Sequence, residues 1–184
     1  MSTSDKITES ALKLFYRQGF HATGVEQLSQ VAGVTKKTLY KYFASKEALI
    51  QAALELRDKQ FLARLKQAVE AEIVSLRPLA YIEFVARWVQ ETGFNGCAFI
   101  NVSAEYGNRQ DQPHVMANLH KQAIIDYLEN ICANAKIEQP TLVARQLFLI
   151  AEGLIVASQV CGTQREMIDA TRRTALALIP NVVE

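Results

Sequence analysis

Residues Thr23–Leu49 read TGVEQLSQVAGVTKKTLYKYFASKEAL, and this stretch predicts two short helices joined by a tight turn. Thr23 with Glu26 matches the capping box that opens a helix. Gly33 can adopt the positive φ that ends a helix, and Thr35 can cap the next one. The pattern is that of a helix-turn-helix, whose second helix enters the major groove of DNA.

Apolar residues in this stretch recur at helical spacing and predict the buried side of each helix. The first helix would bury Val25, Leu28, Val31 and Ala32. The second would bury Val34, Leu39 and Phe43.

The candidate DNA contacts lie on and beside the second helix. Its first residues would be nearest the base edges, and Ser45 would cap a third helix with Lys46 in its first turn. Lysine there opposes the helix dipole, which makes sense where free amide groups and the ammonium hold a phosphate. The expected DNA-binding residues are Thr23, Thr35, Lys36, Lys37, Thr38, Tyr40, Lys41, Tyr42 and Lys46.

The segment GVTKKTLYKYFASKEALI resembles the DNA-binding signature of the TetR family of bacterial transcriptional repressors. With the lead-in LFYRQGFHATGVEQLSQVAGV, the resemblance covers residues 5–50 closely, and the remainder by length and helical pattern only. One departure is the run Gly24, Val25, Glu26, where relatives often place Ser or Thr followed by a basic residue.

The resemblance implies an all-α protein that acts as a homodimer on a pseudo-palindromic operator and responds to a small-molecule inducer. Residues 1–46 would form a three-helix DNA-binding domain, and residues 47–184 a larger helical domain for ligand binding and dimerisation.

Charge is unevenly distributed along the 184 residues, although the net charge is only +1. Residues 1–46 carry a net charge of +4 and the rest carry −3. A basic head on an acidic body fits a DNA-binding domain joined to one that does not bind DNA. Ordinary scatter of charge between small domains is the alternative.

The cysteines and the apolar segments indicate a cytoplasmic protein without membrane association. Cys97, Cys132 and Cys161 are odd in number and lack CxxC spacing, which fits a reducing compartment. The N-terminal MSTSDK has no signal-peptide core. The most apolar stretch, Leu147–Val160, is interrupted by Glu152 and is predicted to be too short to span a bilayer.

Proline and glycine positions delimit the other predicted helices. Residues 97–106 fit a helix or a strand by periodicity, and a helix is expected because the chain offers no partner strand. The predicted helices cover residues 4–18 with Ser4 or Asp5 as cap, one long span from Ser45 to about Ile73, a helix from Pro78, then 97–106, 113–135, 140–161, and a last one from Thr163 or Gln164 to before Pro180.

The last two helices favour a dimer. Apolar and small residues surround nearly the whole helix QLFLIAEGLIVASQVCG, which predicts burial on two sides. Two copies of this helix and the C-terminal one could form an intersubunit four-helix bundle. A monomeric core is the alternative.

Aromatic residues and polar neighbours in the body are candidates for an inducer pocket, although such stripes are also typical of plain core. The candidates are Tyr81, Phe84, Trp88, Cys97, Phe99, Asn101, Glu105, Met116, Tyr127 and Phe148. Glu105 and Glu152 lie in apolar runs, where each could be a pocket acid or pair with an arginine such as Arg87 or Arg145.

Catalytic patterns are weak. His21, His114 and His120 lack zinc-ligand spacing, and neither GxxxxGK nor GxSxG occurs. We therefore expect no enzyme activity, no metal and no cofactor. An all-helical enzyme without DNA binding is the weaker alternative.

Cys97 follows Gly96 at a predicted helix start, where free amides and the dipole favour a thiolate. The segment GCAFINVSAE is similar to the stretch in some TetR-family sensors of electrophiles that carries their reactive cysteine. Cys97 could thus make this a redox- or electrophile-responsive repressor. No lysine follows Lys136 to stabilise an oxidised sulfur, and a buried inert thiol is the alternative.

Overall fold

The computed structural model describes residues 2–179, and these fold into helices without any strand. The predicted all-α class is confirmed. The helices are α1 Thr3–Gln18, α2 Val25–Val31, α3 Lys36–Tyr42, α4 Lys46–Glu70, a 3-10 turn Val74–Leu76, α5 Arg77–Trp88, α6 Ala98–Glu105, α7 Gln112–Asn134, α8 Pro140–Cys161 and α9 Arg165–Leu178.

The chain divides into two compact units. The first contains residues up to Phe61 together with Ala98–His120, and the second contains Leu62–Cys97 and the chain from Lys121 onward. Helices α4 and α7 each contribute to both units. The functional boundary expected between residues 46 and 47 stays a prediction.

Helix α1 begins earlier than predicted. Ser2, rather than Ser4 or Asp5, is the cap, because its hydroxyl accepts the Asp5 amide at 3.1 Å while the Asp5 carboxylate accepts the Ser2 amide at 2.8 Å. This reciprocal pair satisfies two amides that lack a helical partner. The helix ends as predicted before Gly19, whose φ is +93°.

Buried apolar residues hold the first unit together. Leu28, Leu39 and Phe43 are buried, as predicted. Val31 is 52% exposed, so the predicted stripe on α2 is wrong at this position. A helix of seven residues has room for only a narrow buried side, and Leu28 and Ser29 occupy it. The largest fully buried residues of this unit are Ile7, Phe15, Phe20, Leu28, Leu39, Leu49, Ile50 and Leu54.

In the second unit, α5, α8 and α9 pack against one another. Pro78 lies in the first turn of α5, where its missing N–H costs no hydrogen bond. The Arg172 guanidinium on α9 donates to both oxygens of Glu83 on α5 at 2.7 Å. The Thr163 hydroxyl donates to the Val89 carbonyl at 2.7 Å, which joins the α8–α9 link to the end of α5.

The remaining predicted helices match the structure closely. Helix α6 confirms the choice of helix over strand, and α7 and α8 lie within one residue of their predicted spans. Helix α9 begins after Gln164 and ends at Leu178, whereas the predicted stop at Pro180 lies outside the described residues.

Helix α8 is longer than the apolar stretch read from the sequence. Its 22 residues make it long and apolar enough to cross a membrane by length and composition alone, so the expectation that this segment is too short is wrong. The continuous helix extends the apolar run at its N-terminal side with residues 140–146. Core helices of water-soluble proteins meet the same criterion.

Candidate nucleic-acid interface

The α2–α3 junction has the geometry of a helix-turn-helix. Gly33 has a φ of +67°, and the Val34 amide donates to the Ser29 carbonyl at 2.9 Å across the turn. Thr35 caps α3 as predicted, since its hydroxyl accepts the Thr38 amide at 3.1 Å. These local bonds fix the direction in which α3 leaves the turn.

Thr23 does not cap α2. Its side chain is fully buried, and its hydroxyl donates to the Gly19 carbonyl at 2.6 Å. Gly24 occupies the cap position without a side-chain bond, so the predicted capping box is wrong. A competing bond to the end of α1 occupies the hydroxyl that the pattern assigned to α2. The role of Thr23 in DNA binding stays a prediction.

The cationic residues of α3 are exposed. Lys36 forms an ion pair with Glu26 on α2, and the hydrogen bond and charge from Lys36 hold the pKa of Glu26 below its usual value. Lys37 and Lys41 are exposed, and Thr38 is half-buried with its hydroxyl 2.9 Å from that of Thr35. The start of α3 therefore presents two ammonium groups, one of which is already paired.

Tyr40 and Tyr42 are 48% and 44% exposed. Leu39, between Thr38 and Tyr40, is completely buried and faces the core of the unit. The two phenols therefore lie on the solvent side of α3, as a phosphate-contacting role requires.

Lys46 lies at the start of α4, as predicted. Ser45 caps this helix by accepting the Ala48 amide at 3.2 Å. The Lys46 ammonium donates to the His21 carbonyl at 3.1 Å, in the turn between α1 and α2. The ammonium has two further protons, so this bond is compatible with a phosphate contact.

Comparison with known proteins agrees with this geometry. The family model for bacterial regulatory proteins of the tetR family matches residues 7–53, which contain α1 to α3 and the start of α4. Over these residues the chain is similar to the DNA-binding part of the TetR family. It is a DNA-binding transcriptional regulator.

Relatives extend beyond the DNA-binding part. The HTH-type transcriptional regulator YjdC of Escherichia coli is 25% identical over 177 residues, covering 95% of this chain and 92% of YjdC. The E. coli regulator RutR is 43% identical over 77 residues, covering 42% of this chain and 34% of RutR.

Solved structures share the whole fold. A TetR-family transcriptional regulator from Streptomyces coelicolor has a TM-score of 0.90 at 25% identity, covering all of this chain and 91% of that one. The reduced form of E. coli NemR has a TM-score of 0.84 at 21% identity, with 97% of each chain covered. At 21% identity, the similarity to NemR is evidence for the fold only.

The predicted pocket residues of this chain are divided between the two units. Phe99, Asn101, Glu105 and Met116 belong to the first. Tyr81, Phe84, Trp88, Cys97, Tyr127 and Phe148 belong to the second. The aromatic residues Tyr81, Phe84, Trp88 and Phe99 are buried, whereas Asn101, Met116, Tyr127 and Phe148 are half-buried.

Glu105 is not paired with either predicted arginine, and its place in an inducer pocket stays a prediction. Its carboxylate accepts the backbone amides of Phe20 at 2.9 Å and His21 at 2.6 Å. Neither Arg87 nor Arg145 is its partner, because Arg87 donates to a main-chain carbonyl and Arg145 pairs with a different carboxylate. The sequence carried no signal for this contact, which joins residues 84 and 85 positions apart.

Glu152 also has a partner that the sequence did not indicate. Lys121 on α7 donates to both of its oxygens, at 2.6 and 2.8 Å, so the predicted pairing with an arginine is wrong. The same ammonium lies 3.5 Å from the Cys97 sulfur. Burial, with the nearby charges of Glu152 and Cys97, raises the pKa of Tyr81 well above its usual value. The cation beside Cys97 thus comes from α7, upstream of Lys136.

Cavities in the second unit involve further residues. One of about 580 Å³ is lined by Val89, Gln90, Glu91, Gly93, Phe94, Ser158, Gln159, Gly162 and Thr163. A second of about 360 Å³ includes Phe84, one of the predicted pocket residues. The Ser158 hydroxyl is buried without a hydrogen-bond partner among the described residues. None of the ten pocket residues predicted from the sequence lines the larger cavity.

Proposed function

We propose that this TetR-family regulator is a homodimeric repressor, and that a small-molecule inducer releases it from a pseudo-palindromic operator. The observation that carries the proposal is the α3 surface, where Lys36 and Lys37 follow a tight turn and stand exposed at the helix start. In a helix-turn-helix these positions lie nearest the base edges. Lysine there can donate to guanine O6 and N7 or to flanking phosphates.

The surrounding groups suit the phosphate backbone. Tyr40 and Tyr42 offer exposed phenols, Lys41 offers a second cation on α3, and Lys46 offers one at the start of α4. Such contacts set the register of the protein on DNA and carry no sequence information. Specificity in this proposal therefore rests on Lys36, Lys37 and Thr38.

The dimer is supported by one exposed apolar face. Leu142, Leu149 and Val156 recur every seven residues on α8, nearly two helical turns, and are 50%, 66% and 43% exposed. Val160, at 77%, continues the face. Gly153 lies within it, and nothing stands within 4 Å of a Cβ built there. A second copy of α8 would cover this face and form an isologous interface.

The dimer has a geometric consequence for the operator. Two α3 helices must reach major-groove faces on one side of the duplex. Half-site centres should then lie roughly 34–36 Å apart, or a multiple of that distance.

The effector site belongs to the helical body in this proposal. The cavity of about 580 Å³ has the size of a small-molecule site and combines an aromatic ring with amide and hydroxyl groups. The ten aromatic and polar residues named from the sequence are the alternative lining. Similarity to the TetR family supports a small-molecule effector. We place the protein in the bacterial cytoplasm, because the DNA that it would regulate lies there.

The deciding experiment is selection of bound sequences from random DNA, followed by footprinting on the chosen site. We expect a pseudo-palindrome protected over two half-sites and bound in competition with heparin. Enrichment of no sequence would overturn the repressor proposal and favour the alternative of a helical enzyme without DNA binding. We propose that the chain is not an enzyme.

Covalent sensing at Cys97 is a second candidate for the release step. It is supported by Lys121, whose ammonium lies 3.5 Å from the sulfur. It is opposed by burial, since Cys97 is only 4% exposed. N-ethylmaleimide should release the wild type from its operator and leave Cys97→Ser bound. Release of both proteins alike would exclude this mechanism.

A further inference from the structure

One carboxylate binds two backbone amides of the turn between α1 and α2. Glu105, the last residue of α6, accepts the amides of Phe20 at 2.9 Å and His21 at 2.6 Å, one on each oxygen. All of these residues belong to the first compact unit. The carboxylate therefore satisfies two consecutive main-chain donors just after α1 has ended.

The chemistry of this contact favours a fixed geometry. Hydrogen bonds to an ionised acceptor are roughly twice as strong as neutral ones. Because both donors are main-chain amides, the contact constrains the path of the turn itself, rather than the position of a flexible side chain. Gly19 is adapted to it: its φ is +93°, and a Cβ built there would lie 3.1 Å from the Glu105 Oε1 atom.

The same turn leads into α2 and, through it, to α3, the helix proposed to contact the DNA bases. Thr23 donates to the Gly19 carbonyl, and Lys46 at the start of α4 donates to the His21 carbonyl. The turn is thus tied to α4 on one side and to α6 on the other, immediately before α2. Since α2 and α3 follow through the short glycine turn, their orientation relative to α1 depends on where this turn is held.

We propose that Glu105 is a positioning residue for operator recognition. Its carboxylate fixes the α1–α2 turn and thereby the angle at which α3 presents Lys36 and Lys37, without touching DNA itself. The inference rests on the DNA-reading role proposed for α3. Glu105 lies far from the DNA-binding signature in the sequence and belongs to another helix. It would nevertheless affect the preference of α3 for operator over random DNA.

The test compares Glu105→Gln with the control Glu55→Gln, which neutralises an exposed carboxylate on α4. Glutamine keeps one acceptor oxygen but turns an NH2 group toward the other amide. We expect operator affinity to fall by about tenfold, because one charge-assisted hydrogen bond to the turn is lost. Affinity for random DNA at the same salt should stay within about twofold, because the phosphate-contacting cations remain. The control should bind both DNAs as the wild type does.

Two further readouts separate positioning from simple stability. Hydrogen exchange should lose protection at the Phe20 and His21 amides while α1 and α3 stay protected. Glu105→Asp, which keeps the charge but is shorter, should fall between wild type and Glu105→Gln, and it carries the test if Glu105→Gln does not fold. A variant that unfolds at lower temperature but keeps the wild-type ratio of operator to random-DNA affinity would overturn the inference. Failure of the wild type to select any operator would overturn the proposed function instead. Fast exchange of the Phe20 and His21 amides in the wild type would show that Glu105 does not hold the turn, and would overturn the inference.

Discussion

Lys37→Ala is the most direct test of the proposal that α3 contacts the DNA bases. Lys37 is exposed in the first turn of α3, and the described residues offer its ammonium no carboxylate within ion-pair distance. Lys36, its neighbour, is already paired with Glu26. The two lysines have the same charge and adjacent positions, but in the protein without DNA only Lys36 is in an ion pair.

The expected magnitude follows from that difference. A lysine that reads a base contributes about 1–3 kcal/mol, which is a loss of about 5- to 150-fold in operator affinity. Lys37→Ala should show this loss in full because no internal bond is broken on binding. Lys36→Ala should show a smaller loss, because Lys36 must leave Glu26 before it contacts DNA. Glu26→Gln should consequently strengthen binding.

The assay is fluorescence anisotropy with the selected operator and with a scrambled duplex, at several matched salt concentrations. Lys59→Ala on α4 removes the same charge from an exposed site outside the interface and serves as control. If Lys37 reads a base, its variant loses affinity for the operator much more than for the scrambled duplex. Equal operator affinities of Lys37→Ala, Lys59→Ala and wild type would refute the reading role.

Three further outcomes are expected. Lys46→Ala should weaken binding to both operator and random DNA and lower the slope of log affinity against log salt by about 0.9, and an unchanged slope would exclude the phosphate contact. Gly153→Arg should give a folded monomer in sedimentation because the added side chain meets open space within the protomer, and a persisting dimer would move the interface elsewhere. Burial raises the pKa of Cys132 to about 12, so at pH 8 a disulfide reagent should modify exposed Cys161 rapidly and Cys132 only after unfolding, and rapid labelling of both would contradict this burial.

Features that depend on neighbouring residues could be predicted from the sequence. Gly33 and Thr35 were identified because a positive φ and a capping hydroxyl act on amides a few residues away. Pro78 and Pro140 marked helix starts for the same reason. The order and bounds of the helices followed from such local rules.

Features that depend on distant residues could not be predicted. Thr23 satisfied the capping pattern, yet its hydroxyl bonds the end of α1 and not α2. Glu105 and Glu152 both looked like isolated acids in apolar runs, and their partners proved to be main-chain amides in one case and Lys121 in the other. A pattern detects that a buried acid needs a partner, but only the fold determines which partner is near.

The apolar character of α8 has two physical explanations, a bilayer and a second protein surface, and the distribution of exposure favours the second. One side of the helix, with Leu147, Ala151 and Leu154, is buried by packing that includes α5 and α9. Moving α8 into lipid would strip that packing away, and Glu152 would lose the ion pair that Lys121 provides. The exposed apolar face on the opposite side of α8 can be buried by a single protein surface. A second copy of α8 presents the same row of Leu and Val with a glycine in its centre.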